Sequence, residues 1–366
     1  MPREFDTIVP EYNEFSKNPQ SFHSQLEYFS SLPGTILVDD GSTDGSWGRI
    51  EEFAAKHQSE MRTLKLPQNE RKVGAIKRGV GESDKDYVFL TDFDSRVVNS
   101  EKMEGLVEKF EKNPKLSTIV LKITPNGGSL YSKFQGLEYA LSSVTSLKYP
   151  SSQGMVMCAS GPGSFWRKDA LQKVLSKHSG QFLGDDMEMA AIAMSNGYEL
   201  KYDPSIVVET EAPQTFRGLH KQRKRWERGM LETFGRESGF YLGQVKDYRS
   251  RLGHVTASLL YNFGTLPLFL AFAVQGIQNP QVLANYYLSD LAVSLGLSYF
   301  ARKEMPDKKT LALLPLIPIY RLAANLPAKI AASTEFLASK LPHINLSGKI
   351  PINQLAYKSW KEIRVG

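Results

Sequence analysis

The chain has 366 residues, 41% of them hydrophobic and 23% charged, and its 45 Lys and Arg outnumber 39 Asp and Glu to give a formal net charge of +6. At roughly 150 residues per unit that length allows two or three structural units, and the composition excludes wholesale disorder, a collagen-like fibre and a small disulfide scaffold. The single cysteine, Cys158, cannot form an internal disulfide, which suits a reducing compartment, and the positive balance points to nucleic acid, a membrane face or a phosphorylated substrate as partner. The opening Met1-Pro2-Arg3-Glu4-Phe5-Asp6 has no basic stretch followed by an apolar one, so no secretory signal is expected.

Short apolar runs bounded by Pro, Gly, Asp or Asn predict strands at Thr7–Val9, Thr35–Val38, Tyr87–Leu90 and Leu116–Leu121. Amphipathic stretches around 46–57, 73–82 and 99–112 alternate with them. This rhythm reads as an α/β sheet with parallel strands, which binds its ligand at the strands' carboxyl ends. Acidic, glycine-containing segments stand just there. Val38-Asp39-Asp40-Gly41-Ser42-Thr43-Asp44-Gly45 follows the second strand, where two carboxylates accept hydrogen bonds from a ribose or base, or where an ordinary turn caps a helix. Leu90-Thr91-Asp92-Phe93-Asp94-Ser95 ends the third. On an extended chain Asp92 and Asp94 face one way, a hard-oxygen pair suited to Mg²⁺ or Mn²⁺ with substrate phosphates, unless this too is only an acidic turn.

Further on, Gly184-Asp185-Asp186-Met187-Glu188 precedes a helix over Met187–Ser195. Its carboxylates either cap that helix or supply a general base to an attacking hydroxyl. In Gln222-Arg223-Lys224-Arg225-Trp226, helical spacing puts Gln222, Arg225 and Trp226 on one face, where a guanidinium forks onto phosphate and an indole stacks on a sugar. Taken alone, that run also fits a nucleic-acid patch or a membrane anchor.

From Leu252 to Ser289 there is no Asp, Glu, Lys or Arg. Val255–Ile277 meets the length of about 20 residues that a membrane span needs. Val282–Phe300 is a second, weaker span interrupted by Asp290; Thr310–Tyr320, with Pro315 and Pro318, reads as interfacial or re-entrant. Lys246, Arg249 and Arg251 precede this region, and Arg302, Lys303, Lys308 and Lys309 follow the second candidate, which puts both flanks and the N-terminal part in the cytoplasm. The alternative is a buried helical pair on a soluble domain.

Taken in order, these residues resemble glycosyltransferase family 2, in its membrane-associated branch with the cellulose, chitin and hyaluronan synthases. The likeness runs through Ile8-Val9-Pro10-Glu11-Tyr12-Asn13-Glu14, Val38 to Ser42, Asp92-Phe93-Asp94, Phe134 to Tyr139, Gly161 to Arg167, Asp185-Asp186 and the Q-x-x-R-W of Gln222 to Trp226; the ending Trp360 to Arg364 looks like the cytoplasmic tail of such synthases. The resemblance implies a GT-A fold (nucleotide-diphospho-sugar transferase) over 1–245, membrane-spanning or interfacial helices over 246–340, and a cytoplasmic tail over 341–366. It implies inverting transfer from a UDP-sugar to a glycan or lipid-linked acceptor with Mg²⁺ or Mn²⁺, at a membrane with the catalytic part cytoplasmic and without nucleic acid. By position, Pro10, Tyr12, Glu14, Asp39, Asp40, Lys72 and Asp92 would hold the nucleotide, Asp94 with Asp92 the metal, and Asp186 with Asp185 the base position. Gln222, Arg225, Trp226, Gly161 and Gly163 would bind the pyrophosphate and acceptor.

The sequence departs from the family at Arg71 and Lys77, which replace the usual Gly and Asn around Lys72, and at Asp185, where Glu is usual. With two or three candidate spans and none ahead of the catalytic part, the expectation is addition of one or few sugars to a membrane-bound acceptor. The alternative is polymer synthesis, as in the processive synthases, with export through a homo-oligomer or partner. A catalytically inactive nucleotide-sugar binder and a basic nucleic-acid or membrane-binding protein are the remaining readings.

Overall fold

The apolar runs pair into a sheet because their backbones, once buried, have only each other to hydrogen-bond. A computed structural model describes residues 4–57, 60–181, 183–246, 275, 279–305, 307 and 309–340. Its strands are β1 (Phe5–Glu11), β2 (Thr35–Asp39), β3 (Arg62–Lys65), β4 (Tyr87–Leu90), β5 (Ser95–Val97), β6 (Leu116–Asn126), β7 (Ser164–Arg167) and β8 (Glu199–Glu211), in the order β3-β2-β1-β4-β7-β6-β8-β5. β1, β2, β4 and the first half of β6 are the predicted strands. The others escape an apolar-run reading: β3 is a half-exposed edge strand carrying Arg62 and Lys65, β5 and β7 are very short, and β8 alternates charged with apolar residues. At Pro204 the β6–β8 register jumps from Leu121 opposite Asp203 to Lys122 opposite Val207.

The expectation of parallel strands holds for β1 with β2 and β4, and for β2 with β3. It fails at β7, which runs antiparallel to both β4 and β6, and at β5, antiparallel to β8, so the sheet is mixed. The helices Ser46–His57 and Arg71–Glu82 form as expected. The stretch 99–112 breaks into two 3₁₀ turns and the short helix Val107–Glu111.

The described residues fall into two compact units. The first lies within Met1–Gln181, Asp185–Ala212 and Ser294–Leu314 and contains the whole sheet; the second lies within Phe182–Gly184, Pro213–Val293 and Pro315–Gly366. In the first, the helix Arg71–Glu82 lies so close to the sheet that a Cβ on Gly79 would stand 2.6 Å from Ile8 Cγ2 and 3.0 Å from Val38 Cγ2. A second cluster gathers rings around Phe165, whose centroid lies 4.8 Å from Phe5 and 5.8 Å from Phe110. Buried Glu304 ties the segment after the helix Pro280–Ala301 into this unit. It pairs with Lys148 at 2.9 Å and Lys122 at 3.3 Å and accepts from the Tyr202 hydroxyl at 3.3 Å.

In the second unit the helix Phe216–Arg236 packs along the helix Ile317–Lys340, joined by Lys329–Glu227 at 2.7 Å and Lys224–Glu335 at 2.9 Å. Arg321 pairs with Asp290 at 2.6 Å. The expected span Val255–Ile277 lies outside the described residues except for Gln275. Val282–Phe300 is helical within Pro280–Ala301. Thr310–Tyr320 is a different matter: a 3₁₀ segment over Lys309–Leu316 leads into the helix ending at Lys340, because Pro318 occupies its first turn, where an amide N–H is not needed. Among the described residues this run, Lys309–Lys340, is the one helix long and apolar enough to cross a membrane by length and composition, its most apolar 18-residue stretch having a mean hydropathy of 1.4.

Removing the ring at the centre of the aromatic cluster tests the packing. Phe165→Ala is expected to cost about 3–5 kcal/mol and Phe165→Leu under about 1.5 kcal/mol, read as the shift in denaturant midpoint.

Candidate active site

The carboxyl ends of β1 and β2 lie side by side, with Glu11 opposite Asp39 in register. Both side chains are buried. The chain leaves β1 through Asn13 in a left-handed conformation, φ 53, a geometry Asn tolerates well. This turn is tied to the β2 loop: Asn13 N donates to Ser42 Oγ at 2.9 Å and Thr43 N to Asn13 Oδ1 at 2.8 Å. Glu11 serves both loops, accepting from Glu14 N at 2.8 Å and Ser42 Oγ at 3.0 Å. Asp39 accepts from Ser42 N through Oδ2, while its Oδ1 is buried with no hydrogen-bond partner. Asp40 Oδ1 accepts from Glu70 N at 2.6 Å, just ahead of the helix that carries Lys72.

These carboxyls have little positive charge around them. Burial, and then the Asp39 carboxyl beside it, push Glu11 up to about 8. Burial pushes Asp40 up to about 6 and also raises Glu14, which pairs with Lys17 at 2.5 Å. Pro10 is half-buried at the end of β1, and Tyr12 is exposed beside it.

A second acidic group gathers at the end of β4. Asp92 and Asp94 are not on an extended strand: Ser95 N donates to Asp92 O at 3.1 Å, closing a tight turn. The turn, rather than strand alternation, brings the two carboxylates together. Asp94 accepts from Ser95 Oγ at 3.0 Å and Thr210 Oγ1 at 3.3 Å. Burial first, then the charges of Asp92 and Glu14, push it up to about 7. Lys72 forms an ion pair with Asp92. Burial works to lower the Lys72 ammonium, but the charges of Asp92, Asp186 and Asp185 outweigh it and hold it above its ordinary value.

Asp186 stands in the first turn of the helix Asp185–Ser195 and closes the group. Its Oδ2 accepts from Gly161 N at 2.9 Å, and its carbonyl accepts from Ala159 N at 3.0 Å. A Cβ on Gly161 would collide with Lys72 Nζ and lie 3.4 Å from both Asp186 Oδ1 and Asp92 Oδ2, so only glycine leaves this space open. Gly163 is different: a Cβ there would meet Ile123 and Val208 in the core at 2.9 and 3.0 Å, which makes its role one of packing. Cys158 lies near the same carboxylate, and burial followed by the Asp186 charge pushes its thiol up, leaving it protonated and unreactive.

The implied divalent metal fits this donor set. Asp92 and Asp94 offer hard oxygens, and the elevated Asp94 marks negative charge that a cation would relieve. Among the described residues no group of three or more His, Cys, Asp or Glu is gathered to hold a metal unaided. That suits Mg²⁺ or Mn²⁺, which one or two carboxylates hold together with substrate phosphates.

In the second unit, Gln222 and Trp226 are half-buried on the helix Phe216–Arg236, and Arg225 is exposed. Arg223, which spacing did not single out, is buried, as is Arg228 further along the same helix. The Arg223 guanidinium lies 4.9 Å from the Trp226 ring centroid and donates to the Tyr320 hydroxyl at 3.4 Å. Glu11, Asn13 and Ser42, quoted only within longer motifs, and Cys158 were likewise given no role at the site. Glu11 left a signal, an acidic residue just after the apolar run Ile8-Val9-Pro10.

Residues 87–320 match the family described as glycosyl transferase family group 2. The chain is 29% identical over 232 residues to a poly-β-1,6-N-acetyl-D-glucosamine synthase of Staphylococcus epidermidis, over 62% of this chain and 54% of that one. It is 27% identical over 232 residues, with the same shares covered, to the synthase of that name from Staphylococcus aureus strain COL. It thus spans about half, 54%, of the length of the curated relatives it matches. Among solved structures it is similar to the mannosyltransferase PcManGT from Pyrobaculum calidifontis, determined with GDP-Man and Mn²⁺. The TM-score is 0.57 at 16% identity, over 92% of this chain and 88% of that one, and the shared fold is GT-A.

The Glu11–Asp39 contact has a pH signature. Glu11 ionises near its ordinary 4.5 when unfolded but only at about 8 when folded, so the folded state holds the extra proton between those values and loses stability as pH rises through that window. Glu11→Gln keeps an oxygen for Glu14 N and offers an N–H toward Asp39 at every pH. Its melting midpoint is expected to fall less than that of the wild type between pH 5 and 9 and to exceed it above pH 8; parallel curves would refute the shared proton.

Proposed function

The chain belongs to glycosyl transferase family group 2, and on that premise we propose that it carries a sugar from a UDP-sugar to a hydroxyl of a membrane-bound or growing glycan acceptor, inverting the anomeric centre to a β-linkage. The observation that carries the reading is the convergence of Lys72, Asp92, Asp186 and the Cβ-free Gly161 at the carboxyl end of the sheet. Asp186 is the general base. Gly161 N and Ala159 N fix it at both carboxylate and carbonyl, and it takes the proton of the acceptor hydroxyl as that oxygen attacks the anomeric carbon. Attack from the face opposite the leaving diphosphate inverts configuration.

Lys72 faces the departing diphosphate from the nucleotide side. A divalent ion held by Asp94 and Asp92 would neutralise charge on the same group. Asp39 Oδ1 is the proposed acceptor for an N–H of the base, a reading supported by its burial without a partner, with Tyr12 and Pro10 beside it and Glu14 and Asp40 in the supporting loops. The family's Q-x-x-R-W supports a sugar- or phosphate-binding role for Gln222, Arg225 and Trp226, and within their own unit Arg223 holds the indole.

The membrane is the proposed location, with the catalytic part cytoplasmic, supported by the Lys309–Lys340 run and by the charge-free stretch before it. Processive polymer synthesis is the second reading, favoured by the names of the staphylococcal relatives, which make UDP-N-acetylglucosamine the first donor to try. Export would then call on a homo-oligomer or a partner.

UDP release by the detergent-solubilised chain, across a panel of UDP-sugars, tests the proposal. Release is expected to stop with EDTA and return with Mn²⁺ or Mg²⁺. Asp186→Asn is expected to lower it roughly 10²–10⁴-fold, and Asp94→Ala to remove the metal response. Wild-type turnover from Asp186→Asn would refute the base.

A further inference from the structure

The helix Asp185–Ser195 carries a third carboxylate in its first turn, beside Asp185 and Asp186, that takes no part in the chemistry above. Glu188 is fully buried and turns back onto the loop that precedes the helix, accepting from Ser179 N at 2.8 Å and Ser179 Oγ at 2.7 Å. Against it lies the imidazole of His178, also with no exposed side-chain surface, its Nε2 3.7 Å from Glu188 Oε2. Gly180 N donates to His178 Nδ1 at 3.0 Å, which requires that nitrogen to be bare. The ring proton is therefore on Nε2, where it points at the carbonyl of Asp185 at 3.2 Å. That carbonyl belongs to the peptide joining Asp185 to Asp186.

We propose that His178, held between Gly180 N and the Asp185 carbonyl, is a positioning residue that fixes the Asp185–Asp186 peptide and so aims the Asp186 carboxylate at the acceptor hydroxyl. The three contacts on Asp186 and its preceding peptide complement one another. His178 holds the carbonyl before it, Ala159 N its own carbonyl, and Gly161 N its Oδ2, which directs Oδ1 into the space beside Gly161 and Lys72.

The same loop reaches the nucleotide side. Arg71 adopts a left-handed backbone, φ 67, costly for a residue with a side chain, and its guanidinium donates to the carbonyls of Gly180 at 3.3 Å and Gln181 at 3.0 Å. Arg71 immediately precedes Lys72. Its replacement of the family's glycine thus gives the loop of His178 a grip on the residue next to the catalytic ammonium.

The inference rests on the reading of Asp186 as base, and the experiment separates the two. Turnover of UDP-N-acetylglucosamine by the full chain in detergent is compared for the wild type, Asp186→Asn, His178→Asn and His178→Gln. Asn retains an acceptor near the Nδ1 position but loses the donor to Asp185; Gln retains a donor near Nε2. His178→Asn is expected to lower kcat at least about ten-fold with donor KM little changed, and His178→Gln to restore most of it.

If Asp186→Asn abolishes turnover while His178→Asn leaves kcat near wild type, the positioning role is wrong and the base stands. Equal losses in both His178 variants that track a fall in melting midpoint also overturn it. Wild-type turnover from Asp186→Asn removes the base, and the inference with it. Independently of turnover, ¹⁵N imidazole spectra of the histidine-labelled chain at pH 7, assigned by the signal missing in His178→Gln, are expected to show a neutral ring protonated on Nε2. A proton on Nδ1 overturns the arrangement.

Discussion

One ammonium, that of Lys72, sits among the carboxylates of Asp92, Asp186 and Asp185, which the chain delivers from the end of β4 and the start of a distant helix. Without it those segments would bring like charges together in a half-buried pocket, at a cost that protonation or separation would have to relieve. Lys72 itself is poorly placed by local rules: it is the second residue of the helix Arg71–Glu82, where the dipole favours an anion. The carboxylates outweigh that preference, and the lysine's position in turn requires Gly161 to have no side chain. Under the proposed function, a donor diphosphate entering this pocket would meet a cation already held between carboxylates.

The neighbouring carboxyls solve the same electrostatic problem differently. Around Asp94 and Glu11 no lysine takes the leading role, and burial raises both well above the ordinary carboxylate range. At Asp94 the excess negative charge suits a divalent ion completed by substrate oxygens. At Glu11 the answer is a proton, which lets two buried carboxyls face each other in register and lock the β1 loop to the β2 loop through Ser42. Asp39 keeps one oxygen unused in this arrangement, and a buried acceptor without a partner is costly unless a ligand supplies the donor. The pocket thus compensates part of its charge with Lys72 and a retained proton, and leaves Asp94 and Asp39 Oδ1 uncompensated.

The parts of this arrangement legible in the sequence are those where a fully buried strand ends directly in acidic residues. Val38-Asp39-Asp40 and Leu90-Thr91-Asp92 announce both a strand and what lies at its tip, because a buried strand reads as a continuous apolar run and its end as a change of chemistry. The helix after Gly184 was legible from its acidic start, but it begins at Asp185 rather than at Met187, so both carboxylates lie in its first turn. What periodicity could not give is whatever depends on the third dimension. The turn at Asp92–Asp94 looks like extended chain in sequence, β7 is too short to reveal its antiparallel course, and β8 hides behind charged residues and a bulge at Pro204. Gly161 and Gly163 stand two residues apart in one motif, yet one faces the site and the other the core. His178 and Glu188 carry no local signature, since their partnership depends on a loop folding back over the first turn of a helix.

This acidic pocket, organised by Lys72, is proposed to be a metal-dependent nucleoside-diphosphate site. Titration calorimetry of the full chain in detergent with UDP, and with GDP as comparison, tests it most directly, with Mn²⁺ or with EDTA and for Asp94→Ala and Lys72→Met. The account predicts binding of one nucleotide that needs Mn²⁺ and weakens at least about ten-fold in both variants, equivalent to roughly 1.4 kcal/mol. Binding that is indifferent to EDTA and to both substitutions, or no binding of either nucleotide, would contradict it.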